Sequence, residues 1–145
     1  MVKPKIHLTN EEMRYMALFE SMTGATSEDC LIDKKNRRII FIAKKGEMGL
    51  AIGKKGMNID SLRKMTGQQI EVVENADTPE ELIKNSLYSA RIMSIRITEN
   101  PERKMAVVEI EPKDKAKAIG KNGKTIEKTR MLVRRYFQID HVVIT

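Results

Sequence analysis

Two stretches of this chain carry residues suited to chemistry, and both are suited to a phosphate backbone. Ala51-Ile52-Gly53-Lys54-Lys55-Gly56-Met57-Asn58-Ile59 returns 67 residues later as Ala118-Ile119-Gly120-Lys121-Asn122-Gly123-Lys124-Thr125-Ile126, with six of the nine positions identical. Each is a G-x-x-G loop between two helical patterns. Glycine has no Cβ, so the chain can turn sharply and lie close against another backbone. The helix that follows offers unpaired N–H groups and the positive end of its dipole. In this reading Gly53, Gly56, Gly120 and Gly123 allow the close approach, while Lys54, Lys55 and Lys121 neutralise phosphates. Asn122 hydrogen-bonds as a neutral partner, and Ile52 and Ile119 form part of an apolar floor on which bases rest. The plain alternative is a helix-turn-helix joint, which a single G-x-x-G would favour. Two loops with the same Ala-Ile before them and the same first lysine favour a ligand.

Rival chemistries fare worse. Gly123-Lys124-Thr125 resembles the end of a Walker A loop, but the glycine required five residues before Gly123 is Ala118. A strand should also feed such a loop, and here a helix-like stretch, 113–119, precedes it. Only 20 residues follow Thr125, too few for the remaining strands and helices of a nucleotide-binding sheet. The single cysteine, Cys30, excludes an intrachain disulfide and reads as a buried, inert thiol in a strand. His7 and His141 lack companions at metal-ligand spacing. No enzyme, no cofactor and no metal are expected. Three Tyr, three Phe and no Trp are few for a protein that stacks bases on exposed rings, and Tyr15, Phe19, Phe41 and Phe137 read as core.

Charge points the same way. The chain has 145 residues and a net charge of +7. Residues 1–70 carry 13 basic and 8 acidic side chains, residues 71–112 carry 5 and 9, and residues 113–145 carry 9 and 3. Positive charge thus follows the two loops, as an acidic partner would require. No apolar run approaches the ~20 residues that span a bilayer, and Met1–Asn10 lacks the apolar segment of a signal peptide. A cytoplasmic monomer without a membrane partner is expected.

The elements that must hold the loops can be read in order. Thr9-Asn10-Glu11-Glu12 is a capping box that starts a helix, Tyr15, Leu18, Phe19 and Met22 share one stripe of it, and Gly24 stops it. Residues 30–32 and 38–43 read as strands joined by a polar turn, 47–52 as a short helix into the first loop, 57–66 as a helix capped by Gly67, and 69–74 as a strand. After the polar joint Asn75-Ala76-Asp77, Thr78-Pro79 starts a second series. Leu82, Ile83 and Leu87 mark a helix, Met93, Ile95 and Ile97 alternate as a strand, and 105–110 forms the next strand. Residues 113–119 form a short helix, Ile126, Val133 and Phe137 line a longer one, and 139–144 ends the series as a strand. The same order twice marks a duplication, with domains at 1–77 and 78–145 and an α+β, mixed, fold class.

With both loops in place, the chain resembles the NusA-type transcription factors, in the short archaeal form made of two tandem type II KH domains. The resemblance rests on 47–56 with Asn58-Ile59, on Ile70-Glu71-Val72-Val73-Glu74, and on 118–123, and it covers essentially the whole chain. It implies a three-stranded mixed sheet backed by three helices in each domain. It also implies single-stranded RNA binding at the ten residues 52–56 and 119–123, and a role in transcription termination, antitermination or elongation, with the elongation complex as a partner. The alternative within the fold is a KH protein acting on ribosomal RNA or in RNA processing. Ser89 stands where the family usually has proline before Ala90. The length leaves no room for the polymerase-binding and S1 domains of longer bacterial relatives, so direct polymerase contact is not implied.

Overall fold

The computed structural model describes residues 6–145, which divide into two compact units, Ile6–Asn75 and Ala76–Thr145. The expectation placed on residues 1–5 lies outside the described residues. No described helix is long and apolar enough to cross a membrane.

In the first unit helix α1 spans Asn10–Thr23. Its capping box is formed: the Thr9 N–H donates to Glu12 Oε1 at 2.8 Å and the Glu12 N–H to Thr9 Oγ1 at 3.2 Å. Strands β1 (Ser27–Asp33) and β2 (Arg38–Ala43) pair antiparallel, then α2 (Met48–Ile52) and α3 (Met57–Thr66) cross over to β3 (Gln69–Glu74), which pairs parallel with β2. The sheet order is β1-β2-β3. Three helices and a three-stranded mixed sheet are what the resemblance implies. The helix-facing core gathers Phe19, Ala25, Cys30, Ile39, Phe41, Ala43, Ala51, Leu62 and Ile70, with the Phe19 and Phe41 rings stacked at 4.5 Å. Cys30 is fully buried, as expected, whereas Tyr15 is only half-buried against that core.

The second unit repeats the order: α4 (Pro79–Ser86), β4 (Ile92–Glu99), β5 (Lys104–Ile110), α5 (Lys115–Ile119), α6 (Lys124–Phe137) and β6 (His141–Ile144). β4 and β5 are antiparallel, β5 and β6 parallel, in the order β4-β5-β6. Leu82, Ile83, Leu87, Ala106, Val108, Ile126, Leu132, Val133, Phe137 and Val142 are buried. Inside this core the Ser86 and Thr129 hydroxyls meet at 2.6 Å.

One sequence expectation fails here. Met93 does not share a face with Ile95 and Ile97, because the register shifts between Ile92 and Ser94, leaving Met93 bulged and exposed. The first sheet has its irregularity at the same place, between Ser27 and Asp29.

Arg38 departs most from its usual setting. It is fully buried at the start of β2, where its Nε donates to Asp33 Oδ2 and its Nη1 to Glu71 Oε2, both at 2.8 Å, while Nη2 has no partner among the described residues. Burial alone would raise the Asp33 pKa, but hydrogen bonds from Asn36 and Arg38 outweigh it and hold the carboxyl below the usual aspartate range. A carboxylate with a depressed folded pKa contributes stability that is present above its unfolded pKa of about 3.9. That stability is lost as pH falls through the folded value. Acidification from pH 5 to pH 2 should therefore lower the denaturation midpoint of the native chain more steeply than that of Asp33→Asn. Parallel curves for the two would show that Asp33 contributes nothing to acid lability.

Candidate nucleic-acid interface

Each G-x-x-G is a single 3-10 turn between a five-residue helix and a longer one. The first glycine ends the short helix. The Gly53 N–H donates to Gly49 O at 3.0 Å and the Gly120 N–H to Ala116 O at 2.9 Å. Its backbone then leaves the helical region, at φ 76°, ψ 171° for Gly53 and φ 79°, ψ 170° for Gly120, a combination essentially confined to glycine. The fourth residue closes the turn, with the Gly56 N–H on Gly53 O and the Gly123 N–H on Gly120 O, both at 3.1 Å.

Between the glycines the third residue is left-handed: Lys55 at φ 55°, ψ 29° and Asn122 at φ 57°, ψ 26°. Gly56 and Gly123 follow at φ 75° and 73°. Asparagine tolerates this region better than most residues, and Lys55 holds it as well. The two turns thus have one backbone conformation despite different side chains. Lys54, Lys55, Lys121 and Asn122 are all exposed at the tips, and Ile52 and Ile119 expose 39% and 44% of their surface immediately before the turns. In each domain the five expected residues are contiguous on one turn.

The first N–H groups of α3 and α6, on Met57 and Lys124, close the turns on Lys54 O and Lys121 O, and no side chain caps either helix. Such an end attracts an anion. Around the first turn Leu50 and Met57 expose 52% and 62% of their surface, where the second turn has Lys117 and Lys124, so the apolar ground beside the basic tips is broader at the first loop. Among the described residues no group of three or more His, Cys, Asp or Glu could hold a metal.

Two supports escaped the sequence reading. Asn58 donates its amide to Leu50 O at 2.8 Å, satisfying a terminal carbonyl of α2, and sits directly under Gly53; Thr125 occupies the same place under Gly120. The second support is a carboxylate clasp made twice. Thr26 N–H donates to Glu47 Oε1 at 2.7 Å, and Arg91 N–H donates to Asp114 Oδ2 at 2.9 Å. Around them Lys44 N–H reaches Thr26 O, and Glu111 N–H reaches Arg91 O, each at 3.0 Å. The clasp ties the entry of the first strand to the head of the helix that carries the loop. Its signal was available, since Glu47 and Asp114 each lie six residues before the first glycine. The Arg91 N–H, above all, holds the Asp114 carboxyl below its ordinary range, with Lys117 and Lys113 adding to it.

Known proteins resemble both halves of the chain. Residues 13–78 match the KH domain family, and residues 79–143 match the family described as NusA-like second KH domain. A Halococcus morrhuae protein named probable transcription termination protein NusA is 37% identical over 138 residues, covering 95% of this chain and 97% of that protein. A Halobacterium salinarum protein of the same name is 36% identical over 140 residues, covering 97% of this chain and 99% of that protein. Among solved structures, the crystal structure of APE1850 superimposes with a TM-score of 0.87 at 39% identity, over 95% of this chain and 100% of that one.

Proposed function

This chain belongs to the NusA family with two tandem KH domains, and we propose that it binds single-stranded RNA through both G-x-x-G loops and acts in transcription termination or antitermination. The observation that carries the reading is the repetition of one loop conformation at Gly53–Gly56 and Gly120–Gly123, on different residues, at the head of an uncapped helix each time. A joint needed only to reverse the chain would not require exposed lysines at its tips or isoleucine left open to solvent beside it.

Physical chemistry supports single strands over duplexes. An apolar floor beside a phosphate grip suits unstacked bases, and a paired helix cannot splay its bases into such a groove. The transcriptional part of the reading draws on the names of the relatives, probable transcription termination proteins. Sequencing the RNA crosslinked to the protein in cells tests it. Nascent transcripts are the expected species. Mature ribosomal RNA as the dominant species would move the protein to ribosome assembly or RNA processing and leave RNA binding intact.

A further inference from the structure

The second domain has a feature that its G-x-x-G loop does not use. Tyr88, in the connection between α4 and β4, exposes 82% of its surface, the largest value among the exposed large hydrophobic residues. A tyrosine ring offers a flat apolar face together with a polar hydroxyl, which suits it to contact surfaces that are wet at one end. The ring stands on an anchored turn. Before it, Leu87 is buried and donates its N–H to Ile83 O at 2.9 Å; after it, Ala90 N–H returns to Leu87 O at 2.9 Å, and Arg91 is held by the Asp114 clasp.

Cations gather at that clasp. Arg91 Nε lies 3.7 Å from Glu111 Oε2, Lys113 Nζ 3.6 Å from Glu111 Oε1, and Lys117 Nζ 3.7 Å from Asp114 Oδ1. The three basic side chains are 72%, 73% and 63% exposed, while the two carboxylates are 27% and 11% exposed. Positive charge therefore faces solvent and negative charge is recessed. Lys117 lies on α5 only three residues before Gly120, so this cationic ground runs from the Tyr88 turn toward the second loop.

The first domain is built differently here, with exposed Lys44 and Lys45 beside its clasp where the second has Glu111 and Pro112. The matching clasp puts Thr26 where Arg91 stands, and the 67-residue spacing of the loops puts Gly46 and Leu50 where Lys113 and Lys117 stand. Its helix-to-strand connection, 24–26, holds no aromatic residue.

Resting on the reading of the loops as an RNA grip, we propose that Tyr88, Arg91, Lys113 and Lys117 form an additional contact for single-stranded RNA on the second domain. A base flanking the segment held at Gly120–Gly123 stacks on the Tyr88 ring, and the adjoining phosphates lie against the three cations. A ring on a rigid turn stacks any base without reading its edge, so the contact lengthens the bound segment without adding sequence preference.

The chain has no tryptophan, so Tyr88→Trp gives the intact protein a single indole at the site in question. Mixed-sequence oligoribonucleotides of 4 and 12 nucleotides are the probes. A KH groove takes about four nucleotides, so the 12-mer should quench the indole and the 4-mer should not. Tyr88→Ala should weaken 12-mer binding about tenfold and leave 4-mer binding unchanged. Arg91→Gln with Lys113→Gln and Lys117→Gln should lower the salt slope for the 12-mer by about 2, at about 0.7 per phosphate contact. The clasp survives these changes because Arg91 enters it through its backbone. No quenching, with unchanged 12-mer affinity in Tyr88→Ala, would overturn the proposal, while loop variants that still lost RNA would leave the loop grip standing. Conversely, quenching that persisted when loop substitutions had no effect would sink the loops as the grip and keep the Tyr88 contact.

Discussion

Aspartate placed together at Lys54, Lys55, Lys121 and Asn122 should reduce the affinity of the intact chain for single-stranded RNA by about a hundredfold or more, with the fold unchanged. All four side chains are exposed on the two turns and none is part of a core. Aspartate accepts the left-handed backbone that Lys55 and Asn122 adopt, so the turns can keep their shape. A hundredfold loss is about 2.7 kcal/mol, modest for removing three cations from phosphate and putting four anions in reach of it. If each domain engages about three or four phosphates, the slope of log affinity against log salt should be about −4 to −6 in the native chain, taking about −0.7 per phosphate for single strands. Substituting one loop alone should roughly halve it.

A global charge effect has to be separated from a local one. Each lysine exchange removes two charges and the asparagine exchange one, which takes the net charge from +7 to zero. The control is a nearly equal change at exposed positions away from the turns, Lys34→Asp with Lys84→Asp and Arg103→Asp. Long-range attraction would weaken in both variants and fade with added salt, whereas loss of the grip should appear only in the loop variant and persist near physiological ionic strength. Equal losses in the two would remove the loops from the binding site.

The largest effect on stability from a minimal change is expected at the first glycine of each turn. A Cβ on Gly120 would fall 2.8 Å from Thr125 Cβ and 2.9 Å from the Thr125 backbone N, at φ +79°. Gly120→Ala should cost the second domain about 3 kcal/mol, from a glycine-only backbone region together with a contact against main chain that cannot swing aside. Gly53→Ala meets mainly the Asn58 amide, at 2.7 Å from Nδ2, with the backbone N at 3.1 Å. That side chain can rotate, at the loss of its bond to Leu50 O, so about 2 kcal/mol is expected. The second glycines differ. Nothing lies within 4 Å of a Cβ on Gly56 or Gly123, at φ +75° and +73°, so alanine there meets only the left-handed penalty of about 1 kcal/mol. Chemical denaturation of the four single variants should therefore rank Gly120→Ala worst, then Gly53→Ala, with Gly56→Ala and Gly123→Ala mildest. Equal costs at all four would mean that the packing under the first glycine relaxes freely.

Much of this molecule was legible without coordinates, because its signals are local. The capping box at Thr9 and Glu12, the proline start at Pro79 and the glycine stops at Gly24 and Gly67 each act within one helical turn, and the helices begin and end where they stand. Arg38–Ala43 and Gln69–Glu74 fell at their observed bounds because apolar strands between polar turns are equally local patterns. The repeated nine residues identified both turns, down to the glycines that carry positive φ.

The rest depended on groups far apart in the chain. Nothing near Met93 announces a bulge, which arises only when β5 sets the register against it. Arg38 looks like an ordinary solvated charge until Asp33 and Glu71 are brought to it by two different strand pairings. Glu47 and Asp114 lie 21 and 23 residues from the N–H groups they hold, and Tyr88 reads as one more apolar residue after Leu87 until the buried face of α4 is known. The sequence by itself determined the elements, their duplication and the two turns, since propensity, capping and glycine conformation act within about four residues. Which side chains are buried, which charges are paired and what supports each turn only the tertiary structure decided, because burial and electrostatic pairing depend on the spatial neighbours that sheet register and helix packing bring together.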